Sequence, residues 1–167
     1  GSISALRANE DCLYAGGWFT DAAGVVTTNV AVWNTATAAW TNLSSGIDTA
    51  VQDGYVNALA FCDGSLFAGG KFDRAGSVSA NHVAAWDGLV WTNLAEGVDL
   101  ENPDPLAHYY TRVNALASDG KYLFVGGLFS EADVSPASNI AMWGPEILED
   151  YGVAPREGSW AGGFEVV

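Results

Sequence analysis

A seven-residue phrase containing Gly-Gly and ending in Phe occurs three times in this chain of 167 residues. The copies are Leu13–Phe19, Leu66–Phe72 and Leu123–Phe129, and they start 53 and 57 residues apart. Self-similarity at such a period is typical of proteins in which one supersecondary unit is repeated around an axis or along a line. The chain is therefore predicted to be a repeat protein.

Two further motifs keep the same spacing. An apolar motif lies about ten residues before each phrase, at Ile3–Leu6, Val56–Leu59 and Val113–Leu116. A tryptophan follows the closing Phe of each phrase by fourteen residues. These motifs divide the chain into three predicted repeats, with boundaries at residues 1–54, 55–112 and 113–167.

Short apolar runs separated by turn-forming residues predict four antiparallel strands in a repeat. The second repeat is the clearest copy, and its predicted strands are Val56–Phe61, Ser65–Phe72, Asn81–Trp86 and Val90–Leu94. In the first repeat, residues 21–28 are predicted to form a loop between strands. Residues 44–55 and the acidic residues 99–112 are predicted to be linkers between repeats, the second of them at the surface.

The third repeat departs from the pattern after Trp143. Gly144-Pro145 follows that tryptophan, and no second tryptophan follows five to seven residues later. The end of the chain resembles one more strand, in which Trp160, Phe164 and Val166 are candidates for pairing with the sheet of a neighbouring molecule. The last unit is therefore predicted to be atypical or incomplete.

Charge and composition exclude two classes of partner. The chain has 20 acidic and 6 basic side chains, a net charge of −14, and 49% apolar residues. Nucleic acids and anionic membrane surfaces attract clustered Lys and Arg, so neither is an expected partner. No apolar run approaches the length of a membrane span. The profile favours an all-β protein with many turns.

The repeats resemble the kelch repeat. Paired glycines close the second strand, and an aromatic residue followed by Asn or Asp precedes another tryptophan, as in Trp33-Asn34 with Trp40 and Trp86-Asp87 with Trp91. The Ala-Gly-Gly-x-Phe variant is also similar to repeats of large bacterial and fungal surface proteins. The likeness covers the chain except for its last 24 residues.

The resemblance implies an all-β fold of about three four-stranded antiparallel blades of a kelch-like β-propeller. It implies that tryptophans pack between neighbouring blades, at Trp33, Trp40, Trp86, Trp91 and Trp143. Closed propellers typically have at least four blades. Three possibilities stay open: a segment of a longer propeller, two copies closing one ring, or contacts that build a filament.

No catalytic constellation is evident in the sequence. The two histidines are His82, which occupies a position held by Asn29 and Asn139 in the other repeats, and His108 in a linker. His82 is interpreted as a structural substitution, and His108 has no Cys or Glu at metal-ligand spacing. The chain is predicted not to be an enzyme, and no cofactor is expected.

Weaker candidates concern metals and modifications. Asp99, Glu101 and Asp104 are candidate calcium ligands, as are Asp48 with Asp53, although solvated acidic linkers explain both sets. Asn42 begins a glycosylation sequon. Cys12 and Cys62 either form a disulfide or are two separate buried thiols.

These observations favour a non-enzymatic structural or adhesive repeat module, extracellular or at a cell surface. Its expected partners are further copies of itself or the remaining blades of a larger propeller, contacted through open faces and strand edges. The alternative is a propeller segment that binds a carbohydrate or protein ligand.

Overall fold

A computed structural model describes residues 1–9, 11–48, 54–100 and 110–144. The described residues form β-strands and no helix, so the all-β prediction is confirmed. In chain order, these strands are β1 (Ser2–Ala8), β2 (Cys12–Trp18), β3 (Asp21–Ala22), β4 (Val25–Val26), β5 (Val30–Asn34), β6 (Ala39–Asn42), β7 (Ile47–Asp48), β8 (Tyr55–Cys62), β9 (Ser65–Lys71), β10 (Arg74–Ala75), β11 (Val78–Ser79), β12 (Val83–Trp86), β13 (Trp91–Asn93), β14 (Val98–Asp99), β15 (Arg112–Ser118), β16 (Leu123–Leu128), β17 (Glu131–Ala132), β18 (Ser135–Pro136) and β19 (Ile140–Trp143).

Each sequence repeat forms one main antiparallel sheet. The first sheet has the strand order β1-β2-β5-β6, the second β8-β9-β12-β13, and the third β15-β16-β19. The pairing register is the same in all three, since Gly16 lies opposite Val30, Gly69 opposite Val83 and Gly126 opposite Ile140. The first two sheets therefore have the four strands predicted, and the third has three within the described residues.

The two adjacent glycines of the first and second phrases are explained by two different close approaches. In every main sheet the pairing register between the first two strands shifts at one point. In the second sheet this shift lies between Val56 and Ala58. There the backbone carbonyl of Tyr55 occupies the space that a side chain at Gly70 would need. The other glycine, Gly69, faces the neighbouring sheet. Glycine is required at both positions because no Cβ atom fits.

The predicted Asp63-Gly64 hairpin turn is confirmed. Cys62 at the end of β8 pairs with Ser65 at the start of β9, which leaves a two-residue loop. Both loop residues have positive φ angles, 46° for Asp63 and 77° for Gly64. This is the geometry of a type I′ turn, whose twist matches that of the flanking strands and for which Asp-Gly is a preferred sequence.

The predicted loop at residues 21–28 is wrong, because a small hairpin of β3 and β4 lies there. The equivalent hairpins β10–β11 and β17–β18 each receive a third strand from the linker of the preceding repeat, β7 and β14 respectively. The predicted linker at residues 44–55 therefore contains a short strand, and the one at residues 99–112 begins within another. Among the described residues, no such strand pairs with the outer edge of β3.

The second main sheet lies between the other two, so the core consists of two layers. One buried cluster contains Leu59, Leu66 and Ala84 of the second sheet together with Val30 of the first. The other contains Ala58 and Phe67 from the opposite face of the second sheet, with the side chains of the third. Strands β8 and β9 therefore bury apolar side chains on both faces of the second sheet.

Within the described ranges, no helix is long and apolar enough to cross a membrane.

Candidate functional site

The interface between the first and second sheets is built on a glycine. Val56 and Leu59 of β8 lie against Gly16 of β2, and both aliphatic side chains are buried. A Cβ atom on Gly16 would lie 2.6 Å from Cγ1 of Val56 and 3.4 Å from Cδ1 of Leu59. Any side chain at residue 16 would therefore push the two sheets apart.

The interface between the second and third sheets repeats this arrangement. Val113 and Leu116 of β15 lie against Gly69 of β9, and a Cβ atom on Gly69 would overlap Cγ1 of Val113. We call the residues at these positions an aliphatic pair (Ile3/Leu6, Val56/Leu59, Val113/Leu116) and a socket glycine (Gly16, Gly69, Gly126). Among the described residues, two of the three aliphatic pairs and two of the three socket glycines are thus used in contacts between sheets.

The unused aliphatic pair lies on the outer side of the first sheet, which we call the leading face. Ile3 and Leu6 are 54% and 55% exposed, whereas Val56 and Leu59 are 0% and 2% exposed. A groove of about 850 Å³ runs along this face. Its lining includes Ile3, Leu6, Leu13, Ala15, Trp18 and Trp40. An apolar groove of this size is an unusual feature for a solvent-facing surface.

The unused socket glycine lies on the outer side of the third sheet, which we call the trailing face. The nearest atom to a Cβ built on Gly126 is 3.9 Å away and belongs to Ala115 of the same sheet. Gly126 is surrounded by Ala115, Phe124 and Ile140, the counterparts of Ala58, Phe67 and Val83 around Gly69. Ile140 is 50% exposed, whereas Val83 is fully buried.

Polar groups also link neighbouring sheets. The Asn57 side-chain amide donates a hydrogen bond of 3.0 Å to the Val113 carbonyl of the third sheet. Arg7 Nε donates to the Leu59 carbonyl at 2.7 Å, which joins the first sheet to the second. Asn114 occupies the position of Asn57 in the third sheet; it is exposed, and its side-chain oxygen accepts a hydrogen bond of 3.4 Å from the Asn57 amide.

The predicted packing tryptophans divide into two groups. Trp91 and Trp143 are buried in the two core layers, and the Trp91 indole donates to the carbonyl of Leu43, directly after β6, at 3.0 Å. Trp33 and Trp40 are partly exposed and pack on each other across strands, with ring centroids 5.7 Å apart. Trp86 is partly exposed, and the centroid of its ring lies 5.3 Å from that of Trp91.

His82 has the structural role that the sequence predicted for it. Its φ angle is 66°, and the equivalent Asn29 and Asn139 have φ angles of 62° and 67°. Asn and His are more frequent than most residues in this left-handed conformation. His82 Nδ1 accepts a hydrogen bond from the Phe72 amide at 3.3 Å, just as the Asn29 side-chain oxygen accepts one from the Phe19 amide at 3.0 Å.

The candidate calcium ligands receive no support from the part of the chain that the structure describes. The Asp99 carboxylate accepts hydrogen bonds from the Thr111 hydroxyl at 3.1 Å and from the Leu100 amide at 2.7 Å. Glu101, Asp104 and Asp53 lie outside the described residues. No three His, Cys, Asp or Glu side chains within the described ranges are grouped so that they could hold a metal ion.

Cys12 and Cys62 are free thiols in this structure, and only Cys62 is fully buried. Cys62 is buried between the second and third sheets, where its thiol contacts Ser118. Cys12 is half-buried at the start of β2 in the first sheet and lies beside Tyr14. Burial raises the pKa of the Cys62 thiol and is also the main reason that the pKa of Tyr14 is raised.

The remaining predicted sites lie at the surface or outside the described residues. Asn42, the glycosylation candidate, is exposed at the end of β6, the outer strand of the first sheet. His108 and the predicted assembly strand lie outside the described residues, the strand residues being Trp160, Phe164 and Val166.

The role of Gly16 and Gly69, which receive the aliphatic pair of the next repeat, was not predicted from the sequence. The sequence contained a signal for these contacts. The separation between Gly16 and Val56, and that between Gly69 and Val113, are both shorter than the local repeat length by the same number of residues. Reading the phrase as a close approach between sheets, rather than only as the crowded part of one sheet, would have found it.

No protein-family model matches this chain, and no curated protein sequence matches it either.

Proposed function

We propose that this chain is a non-enzymatic structural module that associates with copies of itself through its leading and trailing faces. In this proposal the main sheets are blades of a kelch-like β-propeller, and the described sheets form an open arc. The observation that carries the proposal is the pair of open faces, which present the two halves of an interface that is buried twice inside the molecule.

The apolar character of the faces supports association. Full burial of an aliphatic side chain of this size contributes about 1.5–3 kcal/mol. Association costs about 4–15 kcal/mol of lost translational and rotational freedom, so Ile3 and Leu6 alone do not hold two copies together. The rest of the groove contributes as well, including the exposed Trp18 and the partly exposed Trp40.

Charge opposes association and makes it dependent on salt. A net charge of −14 on a chain of 167 residues gives repulsion between copies. Salt screens this repulsion, with a Debye length of about 10 Å at 0.1 M. We therefore expect self-association to strengthen as the salt concentration rises.

The experiment is light scattering of the purified chain over a concentration series at low and high salt, followed by negative-stain microscopy. The expected result is a mass that grows with concentration, more steeply at high salt, with rings or fibres in the images. A monomeric mass at every concentration and salt level would contradict the proposal.

An extracellular or cell-surface location is part of the proposal. The exposed sequon at Asn42 is compatible with it, since glycosylation acceptors of secreted proteins lie on the surface. Expression in a secreting, glycosylating host tests it, because the intact mass should increase by a glycan that an Asn42→Gln variant does not carry.

A second candidate function rests on the groove of the leading face. Its volume of about 850 Å³ lies within the range of ligand pockets, about 300–1,000 Å³, and it contains the aromatic rings of Trp18 and Trp40. Aromatic rings in a concave apolar site suit a carbohydrate or an extended peptide. A glycan or peptide that raises the melting temperature of a monomeric chain would favour this function over self-association.

A further inference from the structure

We infer that two copies of this chain associate head to tail, with Ile3 and Leu6 of one copy seated on Gly126 of the other. The inference rests on the proposed function and specifies it further: it names which face meets which and in what register. The occupant of the trailing face is the leading face of a second copy.

The register follows from the two internal interfaces. Val56 and Leu59 sit on Gly16, and the next repeat places Val113 and Leu116 on Gly69 in the same way. Within their own sheet, Ile3 and Leu6 lie opposite Gly17 and Ala15. The other two aliphatic pairs lie opposite the equivalent residues of their sheets. The first sheet therefore presents its aliphatic pair in the geometry that a socket glycine receives.

The trailing face supplies the matching socket. The side chains around Gly126 are similar in size to those around Gly69. Phe124 occupies the position of Phe67, and Ile140 occupies that of Val83. Space above Gly126 is open, because no atom lies within 3.9 Å of a Cβ built there. A Cβ atom on this residue would be tolerated in a single copy and would obstruct the docked one.

A polar contact is expected in the same register. Asn57 donates its side-chain amide to the Val113 carbonyl at 3.0 Å across the internal interface. Asn114 is the equivalent residue of the third sheet; it is exposed, and its side-chain oxygen accepts from the Asn57 amide at 3.4 Å, a bond that does not use its own amide N–H groups. In the docked pair its amide donates to the Ile3 carbonyl of the second copy, which fixes the position along the strand as well as the face.

Such an interface is heterologous, because each copy contributes a different surface. Contact between two leading faces would place one aliphatic pair against another without a socket. Head-to-tail contact can therefore be distinguished from contact between like faces. When a variant blocked at the leading face is mixed with a variant blocked at the trailing face, one functional interface can still form between them.

The test uses the full chain in two variants. Leu6→Glu places a charge on the leading face, and Gly126→Val places a branched side chain on the trailing face. Leu89→Glu is the matched control, because Leu89 is 83% exposed at the β12–β13 turn, away from both faces. Sedimentation velocity measures the mass of each variant alone and of equal mixtures, at a concentration where the wild type associates. Circular dichroism verifies that each variant is folded.

Head-to-tail docking predicts that each blocked variant is monomeric alone and that their mixture forms a one-to-one dimer that grows no further. The Leu89→Glu control should associate as the wild type does. If Gly126→Val is unfolded, Gly126→Ala replaces it, since the smaller side chain still overlaps the position of Ile3.

Two results would overturn the inference. If the mixture stays monomeric, or if Gly126→Val alone associates as strongly as the wild type, the faces do not meet in this way, although self-association by another surface stands. If the wild type is monomeric under all conditions, both this inference and the proposed function fail.

Discussion

The side chain of Val113 occupies the space that a Cβ atom on Gly69 would need, although 44 residues separate the two in the sequence. The contact fixes how closely the second and third sheets approach. The same contact occurs between Val56 and Gly16. A single glycine in each repeat therefore sets the distance between successive sheets, and the third such glycine, Gly126, is left without an incoming sheet among the described residues.

Gly69→Ala should destabilise the chain, whereas Gly126→Ala should not. The added methyl group at residue 69 overlaps Val113, and overpacking of this kind typically costs about 1–3 kcal/mol. At residue 126 the nearest atom is 3.9 Å away, so the same substitution is accommodated. Urea denaturation at a concentration where the chain is monomeric measures both free energies of unfolding. Equal losses at the two positions would contradict the interpretation of Gly69 as a socket.

The repeated phrase was sufficient to predict the main sheets. Strand type, the four strands of the first two sheets and the Asp63-Gly64 turn follow from short apolar runs and local turn chemistry, both of which can be read within a few residues. The position of His82 was also predictable, because Asn29 and Asn139 occupy it in the other repeats. The left-handed backbone that these three residues share was not visible in the sequence.

The features that were missed depend on contacts between distant residues. Strands β7 and β14 have two residues each, too few to show a period, and they pair with hairpins of the following repeat. The number of repeats predicted that faces would be open, but it did not predict which residues form those faces. That Ile3 and Leu6 are exposed while Val56 and Leu59 are buried depends on which sheets are neighbours.

Val134→Gly should stabilise the chain. Val134 lies in the two-residue loop between Ala132 and Ser135 and has a φ angle of 61°, which is strained for a β-branched residue. Relief of this strain, about 1–3 kcal/mol, exceeds the entropic cost of a glycine, about 0.5–1 kcal/mol, so a gain of about 1 kcal/mol is expected.

The control for Val134 is Val26→Gly in strand β4. Val26 and Val134 are both 79% exposed, so the two substitutions remove the same exposed side chain, but Val26 is in extended backbone. Val26→Gly should lower stability by about 0.5–1 kcal/mol. Thermal unfolding measures both variants, and a loss of stability in Val134→Gly as well would refute strain at that turn.

Two turn aspartates should contribute to stability in a pH-dependent way. The Asp87 carboxylate accepts hydrogen bonds from the Val90 and Leu89 amides, and the Asp119 carboxylate from the Tyr122 and Lys121 amides. These bonds lower the pKa of each carboxyl from its ordinary value of 3.8. A lowered pKa in the folded state means that the ionised form favours folding, so the contribution is complete above pH 3.8 and is lost as the pH falls below it.

The double variant Asp87→Asn/Asp119→Asn tests this dependence. Its melting temperature should be below that of the wild type at neutral pH, and the difference should shrink as the pH falls below 3.8, the ordinary value of these carboxyls. Melting curves between pH 7 and about pH 2.5 measure the difference in the range where such carboxylates titrate. A difference that does not change with pH would show that these turns act through geometry alone.

The two thiols should differ strongly in reactivity. Cys62 is 1% exposed, and burial raises the pKa of its thiol, so little thiolate is present or accessible at neutral pH. Cys12 is half-buried and should react with iodoacetamide first. Cys62 should react at least about 100-fold more slowly, because exposure of Cys62 requires the second and third sheets to separate.

Mass spectrometry of time points under native conditions measures both rates, with Cys12→Ser and Cys62→Ser as single-thiol controls. In urea the two rates should converge. Equal native rates would mean that the layer between these sheets opens readily, and an intact mass lacking two hydrogens would mean that the thiols are joined in a disulfide after all.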